Sequence, residues 1–211
     1  MKENFTDLRV IRTVESIKGA LVDLIEEKGF ESITVKDITT KAKINRGTFY
    51  AHYQDKFDLM NSYQREIMVE MSSIAQENLP NLIADFNTNN AKFQSMDIAV
   101  LIFTFLDQNR RFMKAVLGNN GDLSFQTKLK DFMWKTLFES ADSLFKPENL
   151  LVPAEYLASY IASAHIGVVQ QWLLHDRKES PEEMALILSK ITLNGPFFAA
   201  GFNKDVGLKK S

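Results

Sequence analysis

The 211-residue chain contains no cysteine. This excludes disulfides, thiolate catalysis and cysteine-based metal sites, and it makes a cytoplasmic location the simplest expectation. No apolar run is long enough to span a bilayer, and no signal-peptide pattern follows Met1-Lys2-Glu3-Asn4. The motifs of hydrolases, kinases and dinucleotide enzymes are missing: there is no G-x-S-x-G, no P-loop and no G-x-G-x-x-G. Neither an enzyme nor a cofactor is expected. Histidine is scarce, with only His52, His165 and His175. On one helix the last two would stand about 80° apart in azimuth and about 15 Å apart along the axis, too far to share a metal ion. Internal repeats, low-complexity tracts and strand-like alternation are absent as well, so an all-α fold is expected. The net charge of −2 also lacks the basic excess of a strong nucleic-acid binder. Any such affinity has to come from local asymmetry.

One segment supplies that asymmetry. Between Lys36 and Lys56, five basic residues (Lys36, Lys41, Lys43, Arg46, Lys56) face two acidic ones (Asp37, Asp55). Thr34 predicts the N-cap of a helix from Val35 to about Lys41, with Asp37 completing a capping box. Ala42, Lys43 and Ile44 form a short turn. Asn45 then caps a second helix from Arg46 to about Tyr53, and Asp55 caps a third that begins at Lys56. This is the layout of a helix-turn-helix, whose second helix lies in a DNA major groove. Gly47 lets backbone approach a nucleic acid closely. Thr48, Tyr50, His52 and Lys56 carry donors suited to phosphate oxygens. Phe49 and Tyr53, four residues apart, are expected to pack on Ile38. Charge and spacing alone leave as the alternative a two-helix corner of an all-α core with an ordinary charged surface.

Residues 12 to 60 resemble the DNA-binding domain of the tetracycline-repressor (TetR) family of bacterial regulators. The matching residues are Gly29-Phe30, Ile33-Thr34-Val35 and Asp37-Ile38, then Ala42, the run Gly47-Thr48-Phe49-Tyr50, and the ending His52-Tyr53…Asp55-Lys56. Two positions depart from the pattern. Lys43 stands where the family usually has a turn Gly, and Thr39 replaces a small Ala. A non-Gly residue in a left-handed conformation costs about 1–2 kcal/mol, although Lys43 could equally be recruited to a phosphate. The resemblance implies an N-terminal DNA-binding domain over residues 1–56 and an all-α ligand-binding and dimerisation domain over 57–211. It implies a homodimer on a palindromic double-stranded operator. Arg46 is the expected base reader, because a guanidinium pairs bidentately with guanine. Gly47 and Thr48 fit the groove beside the Asn45 cap, while Thr34, Lys36, Lys43, Tyr50, His52 and Lys56 hold the backbone.

Elsewhere the chain reads as helices. The first should run from Thr6 or Asp7 to Lys28, with Val14, Ile17, Leu21, Leu24 and Ile25 inward. Phe30, Ile33, Val35, Ile38, Ile44, Phe49 and Phe57 should complete a small core. A long helix from Lys56 should end by Pro80. Ser95 or Asp97 should open the next, Asn109-Arg110-Arg111 should interrupt it, and another should run from about Ser124 to Phe145. Ala154 to about Asp176 is crowded with small residues that let helices approach closely, and Ser180-Pro181-Glu182-Glu183 is a strong helix start. Gly195-Pro196 should break that last helix. By the same resemblance the last two helices form the dimer interface, with Tyr160, Ala164, Val168, Ile187, Ile191 and Phe198 as candidates. Covering the monomer core is the alternative role for that pair.

Sixteen phenylalanines occur, many of them in the middle of the chain. Aromatic and methionine side chains repack around bulky apolar ligands. Met68, Met71, Phe103, Phe112, Phe132, Trp134, His165 and Trp172 are therefore candidate contacts for a small apolar effector, though Phe and Met at helical spacing are usually core. The expected function is repression relieved by that effector. The stretch Ala164 to Leu188 also resembles a TetR subgroup that includes activators of dihydroxyacetone kinase operons. That leaves a coactivator working through a protein partner as the alternative.

Overall fold

Apolar side chains recurring every three or four residues make nearly every described segment helical, and no strand occurs among the described residues. The computed structural model describes residues 3–87, 91–118, 121–139, 145–174 and 179–201. His175 and Phe202 lie outside them. The helices are α1 (Glu3–Lys28), α2 (Val35–Lys41), α3 (Arg46–Tyr50), α4 (Lys56–Asn87), α5 (Ala91–Gln108), α6 (Arg110–Leu117), α7 (Leu123–Trp134), α8 (Ala154–Leu174), α9 (Pro181–Asn194) and α10 (Pro196–Ala199). Single 3-10 turns occupy Phe30–Ser32 and Pro147–Asn149. Two compact units emerge. One joins Met1–Glu70 to Arg110–Lys128, and the other joins Met71–Asn109 to Leu129–Ser211.

The first unit is organised by α1. Its Ile17, Leu21, Leu24 and Ile25 are buried together with Phe30, Ile33, Ile38, Phe49, Leu59 and Met60. Helix α6 packs along α1 and brings Phe112 into the same core. Phe112 stacks on Tyr63 at 3.8 Å between ring centroids and meets Phe125 edge-on at 6.2 Å. A polar cluster centres on Gln64 in the same unit. Gln64 has no exposed surface. Its amide donates to Asp122 Oδ2 at 2.9 Å, and its carbonyl accepts from Lys128 Nζ at 2.6 Å. Burial alone would raise the Asp122 carboxyl, but hydrogen bonds from Gln64 and Ser124 hold it below the usual carboxylate range.

In the second unit α9 packs chiefly along α5, with α8 also against α9. Phe103 and Trp172 meet edge-on at 5.2 Å within this core. The Ser180–Glu183 capping box expected from the sequence is present, and Pro181 occupies the first turn. Gly195, at φ 84°, ends α9 before Pro196 opens α10.

Several expected boundaries are corrected. Helix α4 passes through Pro80 and continues to Asn87. A proline inside a helix costs roughly 3 kcal/mol, but Ala75 and Leu79 just before it are buried, and their packing holds the helix. Helix α5 opens at Ala91, before either Ser95 or Asp97. The helix expected to reach Phe145 ends at Trp134 and widens into a π-turn over Lys135–Glu139. There Trp134 stacks on Phe138 at 5.0 Å, and its indole N–H donates to Glu139 Oε1 at 2.5 Å. Helix α3 stops at Tyr50, short of Tyr53. Phe57 is 51% exposed and outside the core, because helical periodicity from Lys56 turns Leu59 and Met60 inward instead. Val14, Val35 and Ile44 are only half-buried.

Two glycines should respond oppositely to substitution. A Cβ on Gly121 would stand 2.2 Å from the Val116 carbonyl oxygen, so Gly121→Ala should destabilise by about 1–3 kcal/mol. Gly19 in α1 has nothing within 4 Å of an added Cβ, and Gly19→Ala should stabilise by about 0.5–1 kcal/mol. Urea midpoints of the two variants, read by circular dichroism, should move in opposite directions.

Candidate nucleic-acid interface

Both short helices are held by their caps. The Thr34 hydroxyl accepts from the Asp37 amide at 3.2 Å, and Asp37 Oδ2 accepts from the Thr34 amide at 2.9 Å, completing the expected box. The Lys28 ammonium lies 2.8 Å from the same carboxylate. That contact first, then the bonds from Thr34, hold Asp37 well below the usual carboxylate range. At the far end of α2 the Lys43 amide donates to Thr40 and the Ile44 amide to Thr39, at 3.3 and 3.0 Å. This is a Schellman closure, which needs a left-handed residue where Lys43 stands. Lys43 has φ 55°, the one positive φ outside glycine among the described residues. Thr39 is buried, and its hydroxyl is satisfied by the Lys36 carbonyl at 3.1 Å.

Helix α3 follows directly. Asn45 Oδ1 accepts from the Thr48 amide at 2.7 Å and from the Thr48 hydroxyl at 3.1 Å, so Asn45 caps the helix and holds Thr48 against it. A Cβ on Gly47 would approach Asn45 Oδ1 to 3.2 Å. Glycine there protects the cap as well as keeping the surface low. Phe49 is buried beneath the helix, and Tyr53 is buried beside it. Burial pushes the Tyr53 hydroxyl up to about 12, with the Glu66 and Asp58 carboxylates adding to the effect. Tyr50 points outward, 56% exposed, with its ring edge-on to Phe49. His52 is half-buried, 6.3 Å from the Tyr53 ring.

The charges divide into two sets. Lys28 pairs with Asp37, and Lys41 pairs with Glu27 at 2.5 Å and approaches Asp23 at 3.8 Å. The Glu27 contact raises the Lys41 ammonium above its ordinary range. By contrast Lys36, Lys43 and Arg46 are exposed and form no ion pair among the described residues. Lys56 behaves differently again. Its ammonium donates to the carbonyls of Phe30 at 3.1 Å and Glu31 at 2.8 Å, and it lies over the Phe30 and Phe57 rings. Sequence reasoning missed this clamp. The available signal was a cation at a helix N-terminus, where the dipole opposes it and acceptors from elsewhere must compensate. It also missed that Arg111 pairs with Asp23 and Glu26, which ties α6 to α1.

The candidate effector contacts fall in both units. Met68 and Phe112 belong to the first unit, the other six to the second. Phe103, Phe112 and Trp172 are closed into core packing, and Met71 is buried. The Trp172 indole donates to the Glu179 carbonyl at 3.1 Å. Phe132, Trp134 and His165 are half-buried. His165 Nε2 lies 3.0 Å from the Thr192 hydroxyl, linking α8 to α9, and burial pushes its ring down to about 4.

Helix α8 has two faces. Ala158, Ala162 and Ile166 turn into the unit, whereas Tyr156 and Tyr160 are 74% and 56% exposed. On α9, Leu186 and Ile187 are exposed. Among the remaining candidates for an interface between copies, Ala164, Val168 and Ile191 are half-buried. The side chain of Phe198, in α10, lies outside those described.

Known proteins match two regions of the chain. Residues 18–63 match the profile for bacterial regulatory proteins of the tetR family, and residues 94–194 match a TetR-type profile for a transcriptional regulator C-terminal region. The chain belongs to the TetR family. Members of this family are transcriptional regulators, not enzymes. The HTH-type transcriptional regulator YxbF of Bacillus subtilis (strain 168) is 27% identical over 187 residues, covering 87% of this chain and 45% of that protein. The dhaKLM operon transcriptional activator DhaS of Lactococcus lactis is 27% identical over 131 residues, covering 61% of this chain and 63% of that one. The chain thus spans about half to two thirds of the length of these relatives. Among solved structures, NalD of Pseudomonas aeruginosa, the secondary repressor of an efflux pump, aligns with TM-score 0.61 at 16% identity over 87% of this chain and 94% of that one. FadR of Bacillus subtilis, solved with stearoyl-CoA, aligns at 0.57 and 15% identity over 86% and 98%. These two establish a shared fold. No described helix of this TetR-family chain is long and apolar enough to cross a membrane.

Lys43→Gly should relieve the left-handed strain and stabilise the protein by about 1 kcal/mol, seen as a higher urea midpoint. His165 should confer a pH dependence. Its folded value of about 4 lies below the ordinary 6.5, so the unfolded chain binds more protons between these limits. Stability from the neutral ring is full above pH 6.5 and declines as pH falls toward 4. His165→Asn should flatten that decline in urea melts at pH 7 and pH 5.

Proposed function

We propose that the protein is a DNA-binding transcriptional repressor that acts in the cytoplasm as a homodimer on a palindromic operator. The observation that carries this reading is the exposed, unneutralised cation set Lys36, Lys43 and Arg46 around the short, N-capped α3. Neighbouring cations on the α1 side are spent on carboxylates, so the residual charge is concentrated at one edge. In this reading Arg46 reads a base edge, with Gly47 and Thr48 beside it in the groove. Thr34, Lys36, Lys43, Tyr50 and His52 hold phosphates, and Lys56 exchanges its two carbonyls for one. A head with so few contacts binds weakly alone, which favours two heads per operator. The exposed Tyr160 and Ile187, on α8 and α9, support pairing of two copies there.

A small apolar effector is the proposed releasing signal, with the half-buried Phe132, Trp134 and His165 offering surface to it. It acts by preferring the dimer state whose head spacing does not fit the operator. The 27% identity to the DhaS activator favours a second reading, in which the chain activates transcription through a protein partner.

The test is binding of the purified protein to fluorescein-labelled duplex from upstream of its own gene. A specific complex should form, and Arg46→Ala should weaken it by about 1–3 kcal/mol and relax base preference. Tyr50→Ala combined with Lys56→Ala should weaken it on all sequences. If no upstream duplex binds better than a scrambled one, direct operator recognition is wrong and the partner-mediated reading stands.

A further inference from the structure

Helix α1 and the helix-turn-helix are joined by a ladder of contacts with a clear direction. Lys28 meets Asp37 near the start of α2, Glu27 meets Lys41 at its end, and the Ser16 hydroxyl donates to the Ala42 carbonyl at 3.1 Å. The two helices are therefore antiparallel. The part of α1 before Ser16 runs on past the end of α2, beyond the turn that carries Lys43 and leads into Arg46. Helical geometry puts Arg12 about 6 Å and Arg9 about 10 Å beyond Ser16 along the axis, with all three within about 60° of one another. The arginines thus continue the stripe that already touches the turn. Both are exposed, and neither forms an ion pair among the described residues.

The contrast along the same helix is what gives this meaning. Farther down α1, Lys18 pairs with Glu66 and Lys28 with Asp37, while Asp23 and Glu27 neutralise Lys41. Only the stretch beyond the turn leaves its cations open. The one carboxylate of this stretch among the described side chains, Glu15, stands about 60° around the helix from Arg12 and about 120° from Arg9, and it forms no ion pair with either among the described residues. A guanidinium binds phosphate through paired N–H donors in a fixed fork, so two arginines on one stripe suit a sugar-phosphate strand.

We propose that Arg9 and Arg12 form a second phosphate-binding strip, which extends the footprint of each subunit from the α2–α3 turn along the DNA backbone. This rests on the operator-binding reading above, and it widens the contact surface of an otherwise neutral head.

The experiment compares the 211-residue protein with the double variant Arg9→Gln/Arg12→Gln on the upstream duplex and on a scrambled duplex of equal length, across about 50–300 mM salt. A second double variant, Lys130→Gln/Lys135→Gln, removes the same charge from exposed positions in the other unit. Each phosphate contact contributes about 0.9 to the slope of log affinity against log salt. The arginine variant should lose roughly two contacts' worth of slope per subunit and bind both duplexes at least about tenfold more weakly at physiological salt, while the lysine variant keeps the original slope. Circular dichroism should be unchanged, since all four residues are exposed. An unchanged slope in the arginine variant, or an equal loss in the lysine variant, overturns the strip. A loss confined to the upstream duplex also overturns it, because it would mean base reading. If the unaltered protein binds neither duplex, the operator-binding reading fails first and takes the strip with it.

Discussion

One residue in a left-handed conformation sets the geometry on which the interface depends. Lys43, at φ 55°, closes α2 through the amides of Lys43 and Ile44 and hands the chain to Asn45, which caps α3. The Asn45 cap leaves the start of α3 little freedom to reorient. Phe49, buried below, removes the rest. A lysine bears the strain here although glycine would not, and the charge it keeps at the turn is the compensation visible in the structure.

Around that turn the protein manages a small net charge by pairing selectively. Carboxylates from α1 neutralise Lys28 and Lys41, and Arg111 of α6 joins the same α1 surface through Asp23 and Glu26. These exposed pairs contribute little stability individually. Their larger effect is to decide which cations stay open. The aromatic contacts of Tyr63, Phe112 and Phe125 and the Gln64–Asp122–Lys128 cluster tie α4, α6 and α7 into the head. The head is therefore larger than the first 56 residues of the chain, and it draws on a segment some forty residues downstream.

Much of the helix-turn-helix was legible in residue order. Thr34, Asp37, Asn45, Asp55 and the Ser180–Glu183 box are local signals, acting over three residues, and each cap formed as expected. Phe49 and Tyr53 are buried as their spacing implied. Other features were not legible because they depend on distant chain. Pro80 is a local breaker, yet burial of Ala75 and Leu79 overrides it. Phe57 reads as core by composition but is turned outward by the register of α4. Lys56 reads as a free cation until Phe30 and Glu31 supply its carbonyls. Phe103 and Trp172 suit a ligand wall by type, and they are packed against each other.

Sequence alone determined the all-α class, the two capped helices, the strained turn and the TetR likeness, because caps, turns and ordered motifs operate between neighbours. Tertiary structure decided which of the basic residues are open and which are spent. That choice depends on carboxylates and carbonyls brought in from other helices, and no spacing within the segment encodes where they fall.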